Sequence, residues 1–184
     1  MPTILAHAVA ATAIGEVSRP RRVPARFWVV TAICAMLPDI DVLTAFLFNV
    51  PYRAPFGHRG FTHSVVFAAM AGFLAAGWYK WSDEEAPAHS PKLPWNLARL
   101  WLYFFLVTLS HPLLDALTDG GMGVAVWAPF SNTRYFFPWR PIAVSPIGTG
   151  FFSPRGVAVL VNELWWIGVP ALAVNLATRW WRKR

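Results

Sequence analysis

The chain has 184 residues, of which 56% are hydrophobic and only 14% charged. A typical soluble domain carries about 25% charged residues, so this chain has too few charges to clothe a water-soluble globule. Its composition also excludes a disordered, acidic, solvating chain. The length fits one compact unit over residues 1–184, and the single Cys34 excludes an intramolecular disulfide. A net charge of +7 raises the question of nucleic-acid binding, which works by phosphate neutralisation. The basic residues, however, mostly flank apolar runs. Arg19, Arg21, Arg22 and Arg26 precede one, and Arg179, Arg182, Lys183 and Arg184 follow another. That is the placement of topology-setting charge in a membrane protein, and no nucleic-acid partner is expected.

Five apolar segments follow in chain order, against a need for roughly 20 residues per membrane crossing. Residues 4–17 form a short, Ala-rich run, whose Ala8-Val9-Ala10 imitates a signal-peptide cleavage site. No basic region precedes that run, so it is expected to be retained. Residues 27–48 are long enough to cross but are interrupted by Pro38, Asp39 and Asp41. Residues 64–81 are nearly pure apolar, and 97–118 carry His111, Pro112 and Asp115 near their end. Residues 157–177 are apolar apart from Asn162, Glu163 and Asn175. Between them lie a Pro-rich acidic connection, 82–96, which holds His89, and a long Gly/Pro/aromatic connection, 119–156. The expected fold is an all-α, polytopic membrane bundle of about four to five apolar helices, the first being the one most suited to lie at the interface.

If successive connections alternate sides, 18–26, 80–99 and 178–184 share one side and carry eleven Lys and Arg, against five on the other. The positive-inside rule makes the first side cytoplasmic. Trp28, Trp78, Trp81, Trp101, Trp180 and Trp181 fall at segment ends on that same side, as an interfacial aromatic belt requires. The chain is thus expected in a cell's inner membrane, crossing it several times.

An Asp at the centre of a membrane helix costs about 2.5–3.5 kcal/mol on insertion scales. Asp39, Asp41, Asp115 and Glu163 nevertheless lie inside apolar segments, with His7 and His111, and His58 and His63 stand just before one. The alternating topology puts all of them in the outer half of the bundle. His111 and Asp115, four apart, share a helix face. Pro38 breaks a helix so that two carboxylates can converge. His58-Arg59-Gly60-Phe61-Thr62-His63-Ser64 brings two imidazoles across a Gly-containing turn that opens a helix. Singly, each feature has a plain reading: a packed His7, a His111–Asp115 ion pair, a solvated His58–His63 loop, Asp39 and Asp41 as helix caps. Together, at one depth, they point to a shared metal site. His7, Asp39, Asp41, His58, His63, His111 and Asp115 are the candidate ligands. A mixed His and carboxylate set suits zinc first, with manganese or iron as alternatives.

These residues resemble a known family. His7, Pro38-Asp39-Ile40-Asp41, the His58–Ser64 stretch, His111-Pro112-Leu113-Leu114-Asp115 with Thr118 and Gly120, Trp127-Ala128-Pro129-Phe130-Ser131 and the Glu163 segment look like the YdjM-like family of membrane-bound proteins regarded as metal-dependent hydrolases. That family is in turn distantly similar to the zinc-dependent phospholipase C and P1 nuclease group. The wider likeness implies phosphoester hydrolysis, with His111 and Asp115 matching the group's His-x-x-x-Asp metal pair. The longer apolar segments and fewer His of this chain favour one or two ions over three. The expected activity is hydrolysis of a phosphoester or ester, with a lipid-linked, amphiphilic substrate and a site facing outward. Glu163 is the expected general base, Asp41 a ligand or a neighbour of one, and Arg59 and Arg134 the expected phosphate contacts. The alternatives are a transporter or ion-handling bundle and a scaffold with a structural metal.

Overall fold

The computed structural model describes every residue except Ala88 and Ile147, and the side chain of Ala45. Among the described residues there are seven α-helices and no strand beyond two isolated bridges, Thr118 with Ile142 and Val124 with Tyr135. The helices are α1 (Ile4–Ser18), α2 (Ala25–Met36), α3 (Asp41–Phe48), α4 (Val65–Glu84), α5 (Leu97–Ala116), α6 (Pro154–Glu163) and α7 (Val169–Trp181).

They fall on the five apolar segments. The second segment is α2 and α3 joined by a 3-10 turn, Leu37–Ile40. The fifth is α6 and α7 joined by one π-helical stretch, Leu164–Gly168. Three stretches are long and apolar enough to cross a membrane: Ala25–Phe48, Leu97–Ala116 and Pro154–Trp181. The fourth, α4, has 20 residues but ends in the polar run Lys80-Trp81-Ser82-Asp83-Glu84. At 15 residues α1 is short for a crossing. Apolar side chains cover the outside of the bundle, with Phe46, Leu74, Leu164 and Trp165 more than 60% exposed. In water this surface would be unfavourable by about 25 cal/mol per Å²; in hydrocarbon it is matched.

Local signals set the helix starts. Thr3, Ser64 and Asn96 accept from the backbone N–H of Ala6, Phe67 and Arg99, capping α1, α4 and α5. The main apolar core lies toward the basic end and includes Phe27, Val30, Cys34, Tyr79, Trp95, Tyr103 and Phe104. α4 and α5 pack closely because a Cβ at Gly72 would stand 2.6 Å from the backbone N of Phe105. The 119–156 connection folds over the opposite end. Ala125 N–H donates to the Arg59 carbonyl and Val65 N–H to that of Val126, both at 3.0 Å, so this segment roofs the polar residues rather than looping away.

Candidate metal centre

Each imidazole and carboxylate is delivered by a local break or turn that the sequence explains. α1 buries His7 one turn after its Thr3 cap. Pro38 stands in the turn that ends α2 and places Asp39 and Asp41 on either side of Ile40. Pro38, three residues on, has no N–H to offer the Ala35 carbonyl. His111 Nδ1 donates to that carbonyl at 2.7 Å, which leaves Nε2 as the nitrogen with a free lone pair. Before α4 the chain is compressed. A Cβ at Gly60 would meet the Pro55 carbonyl oxygen at 2.3 Å, and Arg59 adopts φ +60, a left-handed conformation uncommon for a residue with a side chain. Arg59 is held there by its N–H to Asp41 Oδ2, at 3.0 Å, and by its carbonyl to Ala125.

Five residues converge with unpaired atoms. His63 Nε2 is 3.3 Å from Asp115 Oδ2 and 3.7 Å from Asp39 Oδ1. His111 Nε2 is 3.3 Å from Asp39 Oδ1, and His7 Nε2 is 3.6 Å from Asp115 Oδ1. The rings of His7 and His111 stack with centroids 3.6 Å apart. All five are buried; His7, His63, His111 and Asp115 are fully so. Both oxygens of Asp39 and Asp115, both nitrogens of His7 and Nε2 of His63 and His111 have no hydrogen-bond partner. A buried polar atom left open costs about 1–3 kcal/mol, so this set is stable only around something that accepts its lone pairs. Tetrahedral ligand atoms about 2.0–2.1 Å from zinc stand about 3.3 Å from one another, which matches the closest of these separations. The donor set therefore fits a divalent metal. Charge agrees: Asp39, Asp41 and Asp115 oppose the single buried guanidinium of Arg59. Burial disfavours an imidazolium at His63, yet its contacts with Asp115, Asp39 and Asp41 outweigh that and raise its pKa well above the ordinary value. The pocket calls for positive charge.

Asp41 and His58 stand one layer out. Asp41 Oδ1 accepts from His58 Nδ1 at 2.7 Å, and Oδ2 accepts from Thr62 Oγ1 at 2.6 Å and from Arg59 N–H. His63 Nδ1 lies 3.1 Å from the same Oδ2. Asp41, His58 and His63 are close enough to form a ligand group of their own, but the carboxylate of Asp41 is already satisfied by protein donors. Its geometry is that of the carboxylate that orients a ligating histidine. His58 is buried, so the solvated-loop reading of this stretch does not hold.

The remaining site residues lie around the centre. Arg59 is fully buried, with Nε 3.0 Å from Asp115 Oδ2, Nη1 donating to the Gly120 carbonyl and Nη2 to Thr118 Oγ1. Arg134 donates to the carbonyls of His58 and Tyr52 at 3.0 and 2.9 Å. Both guanidiniums hold protein atoms, whereas the sequence reading gave them to a phosphate. Glu163 accepts from the N–H and Oγ1 of Thr3 and so ties α6 to the start of α1; it is not among the converging ligand atoms. Thr62 and Thr118 stand in the motifs of the sequence, but spacing does not show that their hydroxyls hold Asp41 and Arg59, nor that the Ala35 carbonyl holds His111. A Thr beside each charged motif was the available signal.

The fold and the cluster together define a helical membrane protein with a buried His/Asp group able to hold a metal ion. The chain belongs to the family described as YdjM inner membrane protein, which matches residues 1–183. It is 38% identical to the inner membrane protein YbcI of Escherichia coli (strain K12), over the full length of both chains. It is 32% identical to the inner membrane protein YdjM of the same organism and to that of Shigella flexneri, over 80% of this chain and 69% of each relative. No solved structure matches.

Proposed function

We propose that this protein is a membrane-embedded, metal-dependent hydrolase acting on a phosphoester borne by an amphiphilic molecule, with its site toward the outer face. The observation that carries the reading is the convergence of unpaired, buried ligand atoms from His7, Asp39, His63, His111 and Asp115. His7, His111 and Asp115 form one ligand group and Asp39, His63 and His111 another, joined at His111; together they hold one or two ions, zinc by the chemistry of the donors. A divalent ion there supplies Lewis acidity, polarising the scissile group and lowering the pKa of a water. Asp41 orients His63, and Arg59 steadies Asp115 without neutralising its open lone pairs. An apolar groove of about 210 Å³ between α1 and the α6–α7 stretch runs past Thr3, Ala6 and Val9 to Glu163. It fits an acyl chain entering from the bilayer, with Glu163, tied to Thr3, on its wall. On the roof side, an open cleft of about 600 Å³ with Arg53 on its wall supports an anionic headgroup; Gly121, also on that wall, adjoins Arg59 Nη1.

The full burial of four of the five residues favours a second reading, a structural metal in a non-catalytic scaffold. Metal analysis of the detergent-purified protein, joined to a panel of phosphomonoester, phosphodiester and phospholipid substrates, separates the two. The hydrolase reading expects stoichiometric metal and turnover of one class, lost in the His111→Ala variant. Stoichiometric metal with no turnover across the panel supports the scaffold, and absence of metal removes both.

A further inference from the structure

The far end of the bundle holds a second concentration of charge, of the opposite sign. A cleft of about 760 Å³ opens between the C-terminus of α1 and the last turns of α7, lined by Arg19, Arg21, Arg179, Arg182 and Lys183 around the one carboxylate of Glu16. Glu16 is buried and already engaged: Arg19 donates to it through Nη2 at 2.6 Å and Nε at 2.9 Å. Arg179 Nε also stands 3.6 Å from Glu16 Oε1, and three further cations, Arg21, Arg182 and Lys183, line the same cleft. Arg182 is fixed in place, its Nη2 donating to the carbonyls of Glu16, Val17 and Arg19 at 2.7, 3.2 and 2.7 Å. Its Nη1 is buried and has no partner among the described residues. That guanidinium is therefore a positive charge held at a set position on the cleft wall.

We propose that this cleft binds the phosphate of an anionic phospholipid. Guanidinium groups match phosphate oxygens in a two-pronged geometry that an ammonium lacks. The position argues for a lipid as the source of that phosphate. The cleft sits at the end of the Pro154–Trp181 stretch, on the side that carries eleven of the sixteen basic residues. Leu176 and Trp180, 57% and 52% exposed, complete its wall and give acyl chains an apolar track down α7. Topology-setting charge needs only to be on the correct side. It does not need a guanidinium pre-positioned by three backbone carbonyls.

The test measures phospholipid retained by the intact protein, by native mass spectrometry from mixed micelles. The probes are dioleoylphosphatidylglycerol, dioleoylphosphatidylcholine, and inorganic phosphate as competitor. The wild type retains phosphatidylglycerol over phosphatidylcholine, and millimolar phosphate displaces little of it. The double variant Arg179→Gln/Lys183→Gln alters two exposed side chains of the cleft and leaves the Arg19–Glu16 pair in place. It weakens retention roughly fivefold per charge removed, while a control, Arg22→Gln/Lys92→Gln, takes the same charge from the same side outside the cleft and leaves retention unchanged. Equal loss in both double variants reduces the cleft to general surface charge and overturns the proposal. So does equal retention of the two lipids, or full displacement by free phosphate. Metal content and hydrolysis are read in the same samples and stay at wild-type values, so failure here is distinct from failure of the hydrolase reading.

Discussion

Acidic residues are buried at both ends of this bundle, and the two ends treat them differently. At the basic end Glu16 pairs with Arg19, and Asp83 with Arg26 and with the Leu93 N–H at 3.2 Å. Each carboxylate has its cation and its hydrogen bonds, and the pairs fasten helix ends to loops. At the other end Asp39 and Asp115 face imidazoles through oxygens without a hydrogen bond, and the one guanidinium among them, Arg59, pairs with Asp115 alone. Burial is the same in the two places; satisfaction is not. A buried acid alone therefore says little about function, whereas a buried acid whose lone pairs are left open toward other open lone pairs marks a site for a cation.

The largest expected effect comes from the Asp115→Ala variant, which removes a ligand and leaves Arg59 buried without its counter-ion. Breaking such a pair from one side costs about 3–5 kcal/mol. Thermal unfolding in detergent with metal analysis on the same sample should show both a lowered midpoint and no bound metal. Retained stoichiometric metal would remove Asp115 from the ligand set. Chelation of the wild type comes next. A ligand that binds only the folded state contributes about 2.7 kcal/mol at a hundredfold excess over its Kd, so excess chelator should lower the unfolding midpoint and re-added metal restore it. At the basic end Asp83→Asn should destabilise by about 2 kcal/mol, less than a fully buried pair because Arg26 is partly exposed. It should keep its metal. Loss of metal in that variant would erase the distinction between the two ends.

Much of this contrast was legible in the sequence, and what was missing has a common cause. The five apolar segments, the eleven-to-five split of basic residues and the gathering of His7, Asp39, His63, His111 and Asp115 follow from period, spacing and the cost of burying charge. The split at Pro38 was readable for the same reason, because proline cannot continue the hydrogen-bond ladder. Glu16 and Asp83 were not readable as buried. Each stands at a segment end beside polar residues, and their partners Arg19 and Arg26 looked like interfacial charge. Nor could spacing tell a ligand from the residue that aims it. Asp41 differs from Asp39 in the donors that reach it, from His58, Arg59 and Thr62, and those depend on how the compressed turn before α4 folds. Arg59 looked like a free cation because nothing local announces that it turns inward with a positive φ. The π-helical stretch after Glu163 left no trace in composition.

The Asp41→Asn variant gives the finest division within the centre. Asparagine keeps the shape of the side chain and can still accept from Arg59 N–H, but it lacks the charge that faces His63 Nδ1. If Asp41 orients His63 from outside the ligand set, metal affinity should fall about 10–100-fold, the usual effect of removing such a partner, while full occupancy returns at higher metal concentration. If Asp41 is itself a ligand, a donor is lost from the ion and occupancy should not recover at any reachable concentration. Titrating the purified variant with zinc and reading bound metal after desalting decides between them. Histidine 58 supplies the cross-check: His58→Ala removes the donor to Asp41 Oδ1 and should weaken binding by less than Asp41→Asn, since the other donors to that carboxylate remain.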